Sequence, residues 1–126
     1  MFNTKNKTVF DYDKDVTFEK RIEEVKSILG KHPNKIPIII QKTSTSKLQN
    51  PNKSKFLAPP EQTFGEFTYQ IRKRLSLTPE QALFLFVKEF APSMSATLGE
   101  IYETHKCDDG FLKISFCEEN TFGSNQ

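Results

Sequence analysis

The chain has no tryptophan, two histidines, two cysteines and five glycines among its 126 residues. Each scarcity excludes something. His105 and Cys107 form a single H-x-C pair, and no second pair completes a tetrahedral metal set. Two residues apart, they also make a poor nucleophile–base dyad. Cys107 and Cys117 are too few for a disulfide framework and read as free thiols of a reducing compartment. There is no glycine-rich phosphate loop. Apolar runs such as "IPIII" (Ile36 to Ile40) are far too short to span a bilayer, and the N-terminus carries no apolar signal core. The expectation is a cytoplasmic protein that is not an enzyme and binds no metal.

What the chain does have is phenylalanine, twelve of them, in a composition that is 36% hydrophobic and 27% charged. A chain of this length forms one domain and buries roughly two-thirds of its unfolded surface, so a core without covalent staples is expected. Residues 1–16 are polar and patternless apart from Phe2, Val9, Phe10 and Tyr12, and read as a lead-in with one or two docking aromatics and room for a short helix. Over residues 17–30, Phe18, Ile22, Val25 and Leu29 form one helical face, with Thr17 as N-cap, Gly30 as terminator and Ile28 off the stripe. "KIPIIIQK" (35–42) and "KFLAP" (55–59) read as a hairpin of two strands around a polar loop. Thr63 and Glu66 form a capping box for a helix with Phe64, Phe67, Ile71 and Leu75 on one face. "TPEQ" makes a turn, "ALFLFV" (82–87) a buried strand, Thr97 and Glu100 a second capping box, and "FLKISF" (111–116) a last strand. No internal repeat is evident.

After the first helix the order is ββαβαβ. That order predicts an α+β, ubiquitin-like β-grasp fold: a core at 31–117 behind an N-terminal helix, with a tail at 118–126. The acid pairs Asp108–Asp109 and Glu118–Glu119 read as solvated turn charges, and Cys117 as half-buried. Lys53 to Lys55 and Arg72 to Arg74 make a modest basic patch, but a net charge of +2 argues against a polyanionic partner such as nucleic acid. A surface reading acidic side chains of a peptide fits better.

Four stretches then carry a resemblance: "FEKR", "KFLAP" before "TFGEFTYQIRKR", "ALFLFV" before "SATLGEIYETHK", and "DGFLKISFCEENTFG". Together they resemble the autophagy ubiquitin-like modifiers of the GABARAP and microtubule-associated light chain 3 type, from about Thr17 to Gly123. The resemblance implies a β-grasp domain with additional N-terminal helices. It implies a cysteine protease that reads Phe122 and cuts the Gly123–Ser124 bond. Activating and conjugating enzymes would then join Gly123 to phosphatidylethanolamine. That lipid is the one covalent group expected, with no other cofactor, on a protein monomeric before conjugation. Glycine suits the chemistry, since without Cβ it threads narrow sites and leaves its carbonyl unhindered. Two acyl chains would hold the product on autophagosomal membranes where one would not.

The resemblance also implies docking of cargo receptors and adaptors that carry aromatic-x-x-aliphatic motifs flanked by acids. The motif would add a strand at Lys55 to Pro59. The aromatic pocket would draw on Glu24, Ile28, Pro37, Ile39, Lys55, Leu57 and Phe111. The aliphatic pocket would use Phe56, Ala58, Pro59 and Phe67, and Lys35, Lys55 and Arg74 would read the acidic flank. Core packing is the alternative for Ile39 and Phe67. Gln62 and Gln70 stand where the family usually has aliphatic residues, which predicts a more polar second pocket. The rival reading is an unprocessed β-grasp domain that binds cytoskeleton or RNA through Lys53, Lys55 and Arg72 to Arg74.

Overall fold

The structure, a computed structural model, describes residues 8–119. Its elements are α1 (Asp11–Asp15), α2 (Phe18–Lys31), β1 (Ile36–Lys42), β2 (Lys55–Ala58), α3 (Phe64–Arg74), β3 (Phe84–Val87), α4 (Leu98–His105) and β4 (Leu112–Cys117). The four strands form one sheet in the order β2-β1-β4-β3. β1 and β4 run parallel at its centre, and β2 and β3 flank them as antiparallel edges. This is the expected β-grasp order, with a short helix in the lead-in. Gly30 does not end α2: the helix continues through Lys31, and the His32 N–H closes it on the Ile28 carbonyl.

Strand alternation divides the apolar residues between two layers. Ile36, Ile38 and Ile40 of β1 share the main core with Phe56 and Ala58, Leu85 and Val87, and Leu112, Ile114 and Phe116. Against them pack Phe64, Phe67 and Ile71 of α3 and Leu98 and Ile101 of α4. The opposite face is smaller. There Ile39 and Phe111 meet Val25 of α2, with Phe10, Tyr12, Ile28 and Leu29 packed around them.

The pattern T-x-G-E occurs at Thr63–Glu66 and again at Thr97–Glu100, and both copies form complete capping boxes. The two helix starts also cap each other. Phe64 N–H donates to the Ala96 carbonyl (2.8 Å) and Gly65 N–H to Met94 (2.9 Å), while Leu98 N–H donates to Gln62 (2.8 Å) and Gly99 N–H to Pro60 (2.9 Å). Four N–H groups that a helix start leaves unpaired are thereby satisfied. A Cβ on Gly99 would lie 3.0 Å from Pro60 Cβ, so the glycine permits this close crossing.

A buried ionic network ties α1 and α2 to the sheet. Asp109 is 3% exposed. Its Oδ2 accepts from Arg21 Nε of α2 and from Lys113 Nζ of β4, both at 2.7 Å, and its Oδ1 accepts from the Phe111 N–H at 3.0 Å. Lys113 Nζ also sits 2.8 Å from Asp13 Oδ1 of α1, and Arg21 Nη1 donates to the Val16 carbonyl at 2.6 Å. Two cations and two carboxylates alternate, so the cluster is neutral. Asp109 is therefore no solvated turn charge, because Lys113 and Arg21 reach it from two other elements. Glu118 is engaged too: it accepts from Ser46 Oγ (2.6 Å) and the Lys47 N–H (2.9 Å). Cys117 is fully buried rather than half-buried.

Burial alone would raise the Asp109 carboxyl, but the bonds from Lys113, the Phe111 N–H and Arg21 outweigh it and hold it below its ordinary value. Burial alone would lower the Lys113 ammonium, yet its bonds to Asp109 and Asp13 raise it. Asp109→Asn leaves two buried cations undercompensated and is expected to cost about 3–5 kcal/mol in urea unfolding. A loss under about 1 kcal/mol would mean the network contributes little. Because the folded-state value of Asp109 is depressed, its contribution is complete above about pH 4 and declines as pH falls through that depressed value. Wild-type stability should fall with acidification more steeply than that of Asp109→Asn. Parallel acid titrations of the two proteins would contradict this.

Candidate functional site

The open edge of β2 is where the sheet offers backbone groups to a partner. The register pairs Ile39 with Lys55, Pro37 with Leu57 and Ile38 with Phe56. Ile40 N–H donates to the Ser54 carbonyl at 2.8 Å, which makes Ile40–Ser54 and, two residues on, Ile38–Phe56 the hydrogen-bonded pairs. Lys55 and Leu57 therefore turn their N–H and C=O groups outward, toward the edge. Pro37 lies opposite Leu57, outside the β1–β4 ladder that begins at Ile38, so its missing N–H costs no sheet bond.

Side chains alternate along the same strand. Lys55 and Leu57 share a face with Pro37 and Ile39, on the side of α2, and Phe56 and Ala58 point toward α3. Leu57 is 41% exposed, a large apolar residue standing at the rim. Glu24 and Ile28, four residues apart on α2, look onto this side. Lys55 Nζ lies 2.7 Å from Glu24 Oε2. Ile28, Ile39 and Phe111 meet in one cluster. The structure thus gathers the residues expected of the aromatic pocket. It also closes the pocket floor, for Ile39 is 2% and Phe111 1% exposed.

One residue missing from the expected set stands in the same place. Tyr12 of α1 meets the Phe111 ring edge to face at 5.3 Å, and its hydroxyl donates to Glu24 Oε1. The Lys55 ammonium lies 4.6 Å from the centre of the Tyr12 ring. Burial, then the neighbouring Glu24, pushes the Tyr12 phenol above its usual value. Burial would raise the Glu24 carboxyl, but the bonds from Lys55 and Tyr12 bring it below the usual range. The sequence signal for Tyr12 was its place in the lead-in as an apolar-bodied residue among acids.

On the other face, Phe56 and Phe67 meet edge to face at 5.9 Å. Phe67 is 1% exposed and belongs to the main core together with Ala58. Pro59 is exposed and borders an open groove of about 790 Å³ that includes Gln62, Tyr69 and Gln70. Gln62 Nε2 donates to Gln70 Oε1 at 2.8 Å, so amides rim the groove beside the expected aliphatic pocket. Arg74 and Lys53 each lie over the Phe56 ring, at 5.0 and 5.2 Å. Lys53 is a second cation here that the expected acid-reading set omitted. Lys35 is exposed at the turn between α2 and β1. Phe122 and Gly123 lie outside the described residues. Among the described residues no group of His, Cys, Asp or Glu could hold a metal ion, and no helix is long and apolar enough to cross a membrane.

Comparison with known proteins identifies the family. The sequence model of the family described as "Autophagy protein Atg8 ubiquitin like" matches residues 20–123. The chain is 46% identical over 110 residues to Autophagy-related protein 8 of Schizosaccharomyces pombe, covering 87% of this chain and 91% of that protein. It is 47% identical over 107 residues to the Coccidioides immitis protein of the same name, covering 85% and 92%. Its fold superposes on the crystal structure of Trypanosoma brucei ATG8 with a TM-score of 0.84 and 34% identity, over 92% of this chain and 100% of that one. The chain belongs to the Atg8 family of ubiquitin-like autophagy proteins and acts as a modifier, not as an enzyme.

Proposed function

We propose that this modifier docks short acidic motifs of the aromatic-x-x-aliphatic form on its β2 edge, and that it reaches autophagosomal membranes through a lipid carried on Gly123. The observation that carries the docking reading is the outward-facing backbone of Lys55 and Leu57, flanked by one cluster on each face of the strand. An added strand takes hydrogen bonds from that backbone, and alternate side chains enter opposite faces. The aromatic pocket lies beside Lys55 and Leu57 and the aliphatic one beside Ala58 and Pro59. A motif whose aromatic comes first would therefore run parallel to β2. Lys53, Lys55 and Arg74 line this path and suit the acidic flank. Their place over the Phe56 and Tyr12 rings, beside the β2 edge, supports this reading over an unprocessed domain whose basic patch binds cytoskeleton or RNA.

For the tail, the supporting facts are family membership and a Phe122–Gly123 pair placed five and six positions after the end of β4. A cysteine protease would hydrolyse the Gly123–Ser124 amide. The freed carboxylate would be activated, carried as a thioester and joined by an amide to phosphatidylethanolamine, with loss of the carrier thiol. The cytoplasmic monomer would then become a membrane-held protein, and cargo receptors would be its partners there.

Leu57→Ala and Lys55→Glu are each expected to weaken an acidic motif peptide by about tenfold, near 1.4 kcal/mol, in calorimetry. Unchanged affinity in both would count against the edge-strand site. Intact mass of the native protein should give a soluble form ending at Gly123 and a membrane form heavier by one phosphatidylethanolamine. Gly123→Ala should give neither product. A wild-type chain ending only at Gln126, in fed and starved cells alike, would refute the lipid reading.

A further inference from the structure

We propose that Tyr12 is an intramolecular cap on the aromatic pocket, so that an incoming motif must displace the chain's own aromatic side chain. The inference rests on the docking reading above and adds a regulatory contact to it. Tyr12 touches three residues of the pocket on three separate parts of the fold: Phe111 beside β4 by an edge-to-face ring contact, Glu24 of α2 by its hydroxyl, and Lys55 of β2 through its ring face. It is flanked by Asp11, Asp13 and Asp15. An aromatic set among acids is the chemistry expected of the motif itself.

Two further observations fit a cap. The pocket floor, Ile39 and Phe111, is closed to solvent while Tyr12 is in place. Lys55 is also doubly engaged, by the Glu24 carboxylate at 2.7 Å and by the Tyr12 ring. An acidic flank can use that ammonium fully only after one of these contacts is given up.

α1 owes its seat to contacts with the body rather than to its own length. It has five residues and no side-chain bond at its N-cap. A helix so short has little stability of its own, so its position is set by contacts with the body. Those contacts include the Asp13–Lys113 pair, Arg21 Nη1 to the Asp13 carbonyl (3.2 Å), the Asp11 N–H to Gln41 Oε1 (2.8 Å), Gln41 Nε2 to the Val9 carbonyl (3.0 Å), and Tyr12 itself. Loss of the phenol leaves Glu24 still bonded to Lys55, so Glu24 is not stranded when the Tyr12 side chain leaves.

When a binding-competent state is only partly populated, apparent affinity falls by the populated fraction. If the capped state holds about 90% of molecules, Tyr12→Ala should bind about tenfold tighter. Tyr12→Phe keeps the ring but loses the bond to Glu24, and should fall between the two. The probe is a synthetic peptide Glu-Asp-Asp-Trp-Ala-Ala-Leu. The chain itself has no tryptophan, so peptide fluorescence reports entry into the pocket directly. Calorimetry gives the affinity, and thermal melts check that each variant is folded.

Tighter binding by Tyr12→Ala, with Leu57→Ala weakening the peptide, supports the cap. If Leu57→Ala weakens the peptide but Tyr12→Ala binds equally or less well, Tyr12 is a wall of the pocket and the cap is overturned while docking stands. If Leu57→Ala changes nothing, the docking reading fails and the cap fails with it. Should Tyr12→Ala not fold, Tyr12→Phe decides in the same way: tighter supports the cap, and equal or weaker overturns it.

Discussion

The Asp109 carboxylate is the contact on which the N-terminal layer depends. One of its oxygens joins a cation from α2 to a cation from β4, and the other accepts the backbone N–H of Phe111. The first pair draws α2 onto the sheet. The bond to Phe111 aims that ring into the cluster shared with Ile39 and Val25. Lys113 then passes the connection on to Asp13, and so to α1. A buried ionic cluster adds little net stability over a well-packed apolar one, because desolvation offsets most of the attraction. What it supplies here is position: it favours the seat of the helices in which all four charges are paired. The apolar cluster on this face is small, so a helix held by it alone would have several comparable seats.

That placement gives the β2 edge its two unlike sides. Toward α3 the strand lies over the main core and is crossed by the ammonium and guanidinium groups of Lys53 and Arg74. Toward α2 it faces Glu24, Lys55 and the ring of Tyr12. An ordinary edge strand invites any extended chain. On the docking proposal, the charged and aromatic side chains on both faces would restrict which chains fit, and on the cap proposal the Tyr12 contact would set how often the aromatic side is open.

Much of this was legible in the residues. The β-branched run at Ile36 to Ile40, the two capping boxes and the alternation of Phe111 to Phe116 placed β1, α3, α4 and β4 near their observed positions, and the stripe from Phe18 to Leu29 with the short apolar runs at 55–59 and 82–87 placed α2, β2 and β3. Their order was enough to name the fold class. α1 was harder, because five polar and charged residues have no periodicity and take helical form only against the body. Asp109 was misread for a related reason. Its turn setting says "solvent" locally, while its burial comes from Arg21, 88 positions away in the chain. The candidate pocket residues on β2 and α2 were reached through family likeness rather than pattern, and the structure brings most of them together. Phe67 and Ala58 look like core from the structure, as the apolar stripe of α3 alone would have suggested for Phe67. Tyr12 and Lys53 were not in the expected pocket set: Tyr12 sits on a five-residue helix with no readable period, and Lys53 lies in the loop before β2.

The most direct test of the docking account is amide exchange of the β2 backbone, followed by NMR with and without a saturating acidic motif peptide. The account predicts new protection at the Lys55 and Leu57 amides, which face the open edge. Phe56 and Ala58, already bonded across the hairpin, should change little. Peptide binding with no added protection at Lys55 and Leu57, or with protection confined to another strand, would contradict it.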